Sequence, residues 1–389
     1  LLRLQRRDAR LAIHGGLFAL TFLSAMYSQI PREAGSSLLG FLLAPLQQPA
    51  LAWQSLPFAA TLMAILLSHE MGHYLTARRL GIDQSLPYFL PAPTLFGTFG
   101  AVIVMQSTPA NRRDLLKVAV MGPYAGLLVA LPAAAWGLWH STPLPTDLWS
   151  GAASAGAELP GGLEFGESVL FGLLERLFSP NGGDILLHPV ATAAWVGLFI
   201  TSLNLIPAAQ LDGGHVTYAL FGRAHRQISQ AVVVAMICFG VHSACLGEAN
   251  GMGDGGAMWL VWAVLLLMMG LRHPPVQDES VRLSPGQRLN GALALLLFGI
   301  TFTPVPLRLV EAGVALPVQG DLGNGDAAQG DDFEHSVPPQ GPAADEEGEG
   351  DADSCPVWPD AQQPDDCEPD GTEQDDDAPE QPFEGQITL

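Results

Sequence analysis

Twelve nearly unbroken apolar residues, Leu56 to Leu67, run directly into His69-Glu70-Met71-Gly72-His73. No other junction in the chain limits its possible folds so tightly. A helix with that much apolar surface belongs in a large core or a bilayer, yet two histidines and a glutamate are costly in either unless they have partners. On a helix, residues four apart share a face, so both imidazoles can grip one metal ion. Glu70 lies beside them, placed to accept a proton from a water molecule. The expectation is a zinc-binding helix that begins inside a membrane, and a protease that cuts there.

The composition agrees. Of 389 residues, 48% are hydrophobic and only 14% charged. A crossing needs about 20 mostly apolar residues. Segments of that kind fall at 11–30, 55–77, 115–139, 189–208, 229–247, 256–272 and 289–310, the last interrupted by Pro304, Pro306 and Arg308. The net charge of −22 is local: 22 acidic residues and no Lys or Arg lie between Asp321 and Glu384, leaving 17 acidic against 17 basic elsewhere. The body is therefore neutral, and no nucleic-acid partner is expected. Residues 317–389 have too few bulky aliphatics to fold alone. Cys238 and Cys245, seven apart, share a helix face and read as buried thiols. Cys355 and Cys367 lie in the acidic tail, where an oxidising compartment would let them form a disulfide.

Positive charge orients the helices. Arg3, Arg6, Arg7 and Arg10 place the N-terminus in the cytoplasm, and Arg78-Arg79, Arg112-Arg113, Lys117, Arg223, Arg226, Arg272, Arg282 and Arg288 all fall on the same side. The expected organisation is an N-terminal membrane helix and connection (1–54) and a catalytic membrane core (55–227) containing an extracytoplasmic loop (141–188). C-terminal membrane helices (228–316) and the acidic tail (317–389) follow. With seven crossings the tail lies outside the cytoplasm; with six it lies inside. Within the loop, Glu167 to Phe178 reads as a short amphipathic helix. Leu86 to Gln106 is broken by Pro87, Pro91, Pro93, Gly97 and Gly100 yet stays apolar. It reads as a re-entrant loop or hairpin dipping toward the site, the alternative being an ordinary interface loop.

Catalytic zinc usually takes three protein ligands and leaves a fourth position open. The other apolar segment with a suitable acid is Asn204-Leu205-Ile206-Pro207-Ala208-Ala209-Gln210-Leu211-Asp212-Gly213-Gly214-His215. There Asp212 is read as ending a helix broken by Pro207, at a depth similar to that of His73. His215 reads as an interfacial residue. Gly122 and Gly126 form a GxxxG spacing suited to packing the third helix against the catalytic pair.

An HExxH in an apolar helix followed by NxxPxxxLDGG in a later one resembles the site-2 protease family of intramembrane zinc metalloproteases. Gly97-Thr98-Phe99-Gly100-Ala101-Val102-Ile103, Gly122-Pro123-Tyr124-Ala125-Gly126 and Thr303-Pro304-Val305-Pro306 resemble further elements of bacterial, PDZ-less members. The resemblance covers residues 55–310. It implies one Zn²⁺ per chain held by His69, His73 and Asp212, with Glu70 as the catalytic residue. Asn204 would assist substrate or oxyanion binding, the alternative being a structural helix–helix bond. The β-prone loop carrying Gly97, Phe99 and Gly100 is separately expected to pair with an unwound substrate strand. The fold implied is an all-α polytopic membrane protein with six or seven transmembrane helices, a re-entrant or β-hairpin loop and a disordered acidic C-terminal tail. The partners would be single-span membrane protein substrates and the lipid bilayer, in a bacterial inner membrane. Three other readings stay open. One is a non-catalytic zinc-containing membrane adaptor that binds transmembrane helices. Another is a zincin with Glu164 or Glu167 as third ligand, and the last is a transporter.

Overall fold

A computed structural model describes residues 2–31, 34, 37–143, 162–179, 185–246 and 256–310. The acidic tail, Cys355, Cys367 and much of the 141–188 loop lie outside those residues. Helices dominate: α1 (Leu2–Tyr27), α2 (Leu38–Gln47), α3 (Pro49–Arg79), α4 (Arg112–Trp139), α5 (Val169–Phe178), α6 (Pro189–Asn204), α7 (Asp212–Phe221), α8 (His225–Leu246), α9 (Met258–Met269) and α10 (Pro285–Thr301). Short strands pair between them: β1 (Tyr88–Pro91), β2 (Thr98–Val102), β3 (Thr142–Pro143), β4 (Gly162–Phe165), β5 (Ile185–Leu186) and β6 (Leu307–Val310). Among the described residues, three helical stretches are long and apolar enough to cross a membrane: Pro49–Arg79, Arg112–Trp139 and the run Asp212–Cys245, which passes through a 3-10 turn at Gly222–Ala224. Leu11–Tyr27, Leu38–Gln47, Pro189–Asn204 and Met258–Met269 are shorter apolar helices.

The core forms where α3, α4 and α6 meet. Phe58, Leu62, Ile65, Ala130, Ala134, Ala194, Trp195 and Leu198 are buried together there. Small residues allow the close approach: a Cβ on Gly72 of α3 would collide with the Met121 carbonyl of α4, and one on Gly137 of α4 with the Ala191 backbone of α6. Asn111 caps α4 by accepting from the amides of Arg113 and Asp114.

The broken segment after α3 is a hairpin. β1 and β2 pair antiparallel, Tyr88 opposite Val102 and Pro91 opposite Thr98, with an irregularity after Phe89. Its turn rests on α1, since a Cβ on Gly97 (φ +74°) would strike Ser24 and Ala25. Ser24 donates to the Ala92 carbonyl at 3.0 Å, and the Phe18 ring meets Phe89 edge-on.

Three expectations need correction. Residues 289–310 are not one helix: α10 ends at Thr301, and after Pro304 and Pro306 the chain becomes β6, antiparallel to β4. The prolines forbid the helical continuation. Asp212 does not end a helix. It opens α7, because α6 stops at Asn204 and Pro207 holds the chain in a non-helical turn. Cys238 and Cys245 do share a face of α8, but it is the exposed one. His225, Ser229, Val233, Met236, Gly240 and Ser243 form the buried stripe on the opposite side.

Arg112 and Arg113 meet the link between α9 and α10 at one end of the fold. The amides of Gln277 and Asp278 donate to the Pro109 and Ala110 carbonyls. Arg112 donates to the Glu279 carbonyl, and Arg113 to that of Arg282 at 2.7 Å. The β3–β5 and β4–β6 pairs attach to the segments beyond the far end of α4. Trp259 Nε1 donates to the Pro304 carbonyl, and Trp195 Nε1 to the carbonyl of Gly166, whose own amide donates to the Pro306 carbonyl. The Thr303–Pro306 element is thus held by one tryptophan directly and by the other through Gly166.

Candidate metal centre

His69 and His73 occupy successive turns of α3, near its arginine-bearing end, and both are buried. Their Nε2 atoms each lie 3.1 Å from the same oxygen, Oδ2 of Asp212. Asp212 reaches them because the chain between Asn204 and α7 folds back tightly. Ala209, fully buried, takes a left-handed φ of +53°, a conformation costing roughly 1–2 kcal/mol outside glycine. The two glycines after Asp212 are needed for that fold. A Cβ on Gly213 would overlap the Leu205 carbonyl, and one on Gly214 the carbonyls of Ala208 and Ala209.

The donors fit a metal ion. His73 Nδ1 donates to the Val118 carbonyl at 2.8 Å. That contact fixes its tautomer, so the neutral ring turns the lone pair of Nε2 toward Asp212. A carboxylate oxygen also offers only lone pairs, and the two repel unless a cation lies between them. One ligand atom from each of His69, His73 and Asp212 falls within 4.8 Å of the other two. Two imidazoles and a carboxylate are a donor set that zinc accepts readily.

Three neighbours complete the centre. The buried Glu70 carboxylate couples electrostatically to His69, His73 and Asp212. Asn204, the last residue of α6, brings Nδ2 to 3.4 Å from His69 Nε2. On α4, Gly122 faces His73 and Gly126 faces His69: a Cβ on Gly122 would enter the His73 imidazole, and one on Gly126 would sit 3.2 Å from His69 Cβ. Two glycines four apart thus match two histidines four apart across the helix pair.

The other sequence-predicted residues lie elsewhere. Phe99 projects from β2 and is 73% exposed. Gly100 (φ +92°) passes Ile200 of α6, while Gly97 sits against α1. Glu164 pairs with Arg308 in the β4–β6 ladder, beyond the far end of α4, and only His69, His73 and Asp212 form a ligand cluster among the described residues. The sequence reading missed His273. Its Nδ1 donates to the Pro274 carbonyl, so Nε2 accepts the hydrogen of His215 Nδ1 at 2.6 Å. Burial, and then the neighbouring His215, push His273 down to about 3, and it stays neutral. Its ring also stacks on Tyr218, whose hydroxyl donates to Glu279. The α9–α10 link therefore grips the helix that begins with Asp212. No local motif marks His273.

With the centre described, the class follows. Residues 57–246 match Peptidase family M50, and the chain carries a domain of this family, the site-2 protease family. Its relatives include "Probable zinc metalloprotease EGY1, chloroplastic" of Arabidopsis thaliana, 29% identical over 67% of this chain and 45% of the relative. "Probable zinc metalloprotease EGY2, chloroplastic" of the same plant is 32% identical over 64% of this chain and 42% of the relative. The EGY1 protein of Oryza sativa subsp. japonica is 30% identical over 65% and 41%. The chain thus spans less than half the length of these relatives. No solved structure matches it.

Proposed function

We propose that the protein is an intramembrane zinc metalloendopeptidase that cleaves transmembrane segments of single-span membrane proteins. The observation that carries this reading is the convergence of His69, His73 and Asp212 with Glu70 beside them. Zinc, when bound, supplies a Lewis acid that lowers the pKa of water toward about 7 and polarises a carbonyl. Glu70 takes the proton from the attacking water as its oxygen joins the scissile carbonyl carbon. When the carbon–nitrogen bond breaks, Glu70 returns that proton to the departing nitrogen. The Asn204 amide, beside His69, is placed to donate to the carbonyl oxygen. Val118 holds the His73 ring throughout.

A helix must be unwound before its peptide bonds can be attacked. β2 pairs with β1 along one edge. Its other edge, between the exposed Phe99 and Val102, offers a template for strand addition. Gly97 and Gly100 shape that edge, Gly97 by seating the turn on α1.

The membrane reading follows from the three long apolar stretches, with the shorter helices completing six or seven crossings and the hairpin re-entering from one side. The end of the fold where Arg112, Arg113 and Arg282 meet is cytoplasmic, and the β4–β6 pair lies toward the opposite end. A bacterial inner membrane is the proposed site, whereas the two Arabidopsis relatives are named as chloroplastic proteins.

Cleavage of a single-span reporter in reconstituted vesicles tests the proposal. Glu70→Gln should reduce cleavage by at least about 10²-fold while the protein keeps its fold and metal. Cleavage at the wild-type rate in that variant would remove Glu70 as the base, and a folded, zinc-loaded wild type that leaves the reporter uncut would favour the adaptor reading. Val102→Pro should stop cleavage without loss of zinc, and full activity in that variant would remove strand addition from the account.

A further inference from the structure

We propose that α5 is an in-plane membrane helix, seated in the bilayer surface at the end of the molecule opposite Arg112 and Arg113, with lipid against Val169, Leu173 and Leu177. The proposal rests on the membrane reading above. Those three residues, four apart, form one stripe and are 70%, 53% and 64% exposed. A second stripe, Leu170, Phe171, Leu174 and Phe178, packs inward on the main core, Phe171 being 1% exposed. Taken at about 100° per residue, the two stripes together cover about half of the helix. The remainder is polar or small: Gly172, Glu175 and Arg176, with the exposed Glu167 carboxylate lying over Gly172. A solvent-facing helix of ten residues would not expose a second apolar stripe beside a buried one.

Position identifies lipid as the occupant. α5 packs against α4 and α10, whose exposed side chains include Leu128 on α4 and Leu289, Leu293 and Leu296 on α10. Its outer stripe therefore adjoins helices that already present apolar surface outward. It lies near the end of α4 that carries Trp136 and Trp139, 50% and 64% exposed. Tryptophans are enriched at the level where hydrocarbon meets headgroups. Arg176 lies next to the outer stripe, able to keep its stem in the apolar layer and its guanidinium among phosphates. The helix follows β4, which is paired antiparallel with β6.

The test is spin-label accessibility in the full chain, with Cys238, Cys245, Cys355 and Cys367 replaced by serine. Labels go singly on Leu173→Cys, Leu177→Cys, Glu167→Cys and Leu128→Cys. The protein is reconstituted in vesicles of phosphatidylcholine and phosphatidylglycerol. At each site, collision with lipid-soluble oxygen is compared with collision with a water-soluble nickel chelate. Positions 173 and 177 should follow Leu128, with oxygen dominant, and Glu167 should show the inverse ratio. Nickel dominance at 173 and 177 would place the stripe in water and overturn the proposal. Shielding from both reagents would mean a protein surface covers it, also overturning the proposal. If Leu128 also sided with nickel, the membrane reading itself would fall.

Discussion

At the scale of single residues, the centre depends on groups that carry no chemistry of their own. His73 is fixed from two sides, by the Val118 carbonyl on Nδ1 and by the absent side chain of Gly122 against its ring. Gly122→Ala should therefore lower zinc affinity by about 10–100-fold, the usual effect of disturbing a ligand's supporting contacts. Gly126→Ala, whose Cβ would meet His69 Cβ at 3.2 Å, should cost less. Zinc titration of the two variants checks the order. The cluster of His69, His73 and Asp212 was legible because HExxH and LDGG are local spacings. GxxxG gave only close packing. The sequence does not state that its glycines align with the two histidines, because that alignment depends on the register between α3 and α4. His273 was invisible for the same reason: its partner lies 58 positions away.

At the scale of elements, the start of α6 carries a titratable cap. His188 Nδ1 accepts from the Val190 amide at 3.2 Å and can do so only while unprotonated. Burial first, then His140, lower its pKa from the usual value. As pH falls below about 6.5, the unfolded chain takes up a proton that the folded chain resists. The contribution of this cap is thus complete above that pH and lost below it. The thermal midpoint should decline on acidification, and His188→Asn, which keeps an acceptor without titrating, should decline less. An equal decline in both would remove the cap from the account. Hydrophobic runs located α3, α4, α6 and α8 closely. They overran at 289–310, where Trp259 holds a proline-containing turn and β4 supplies the strand partner of β6. Pairing between segments more than 140 residues apart leaves no trace in either one. Asp212 was assigned to the wrong end of a helix because its Gly-Gly sequel reads equally well as a stop and as space for the returning backbone.

At the scale of the molecule, α3, α4, α6 and α7 bring His69, His73, Asp212 and Glu70 into one cluster, and the α9–α10 link grips α7 through His273, Tyr218 and Glu279. The account stands or falls on that cluster holding one catalytic metal. Zinc content of the purified full chain, measured alongside Asp212→Ala and Glu70→Gln, tests it most directly. The prediction is about one zinc per chain, weakened by Asp212→Ala and retained by Glu70→Gln. A folded wild type without zinc, or zinc binding indifferent to Asp212, would contradict the assignment of the centre.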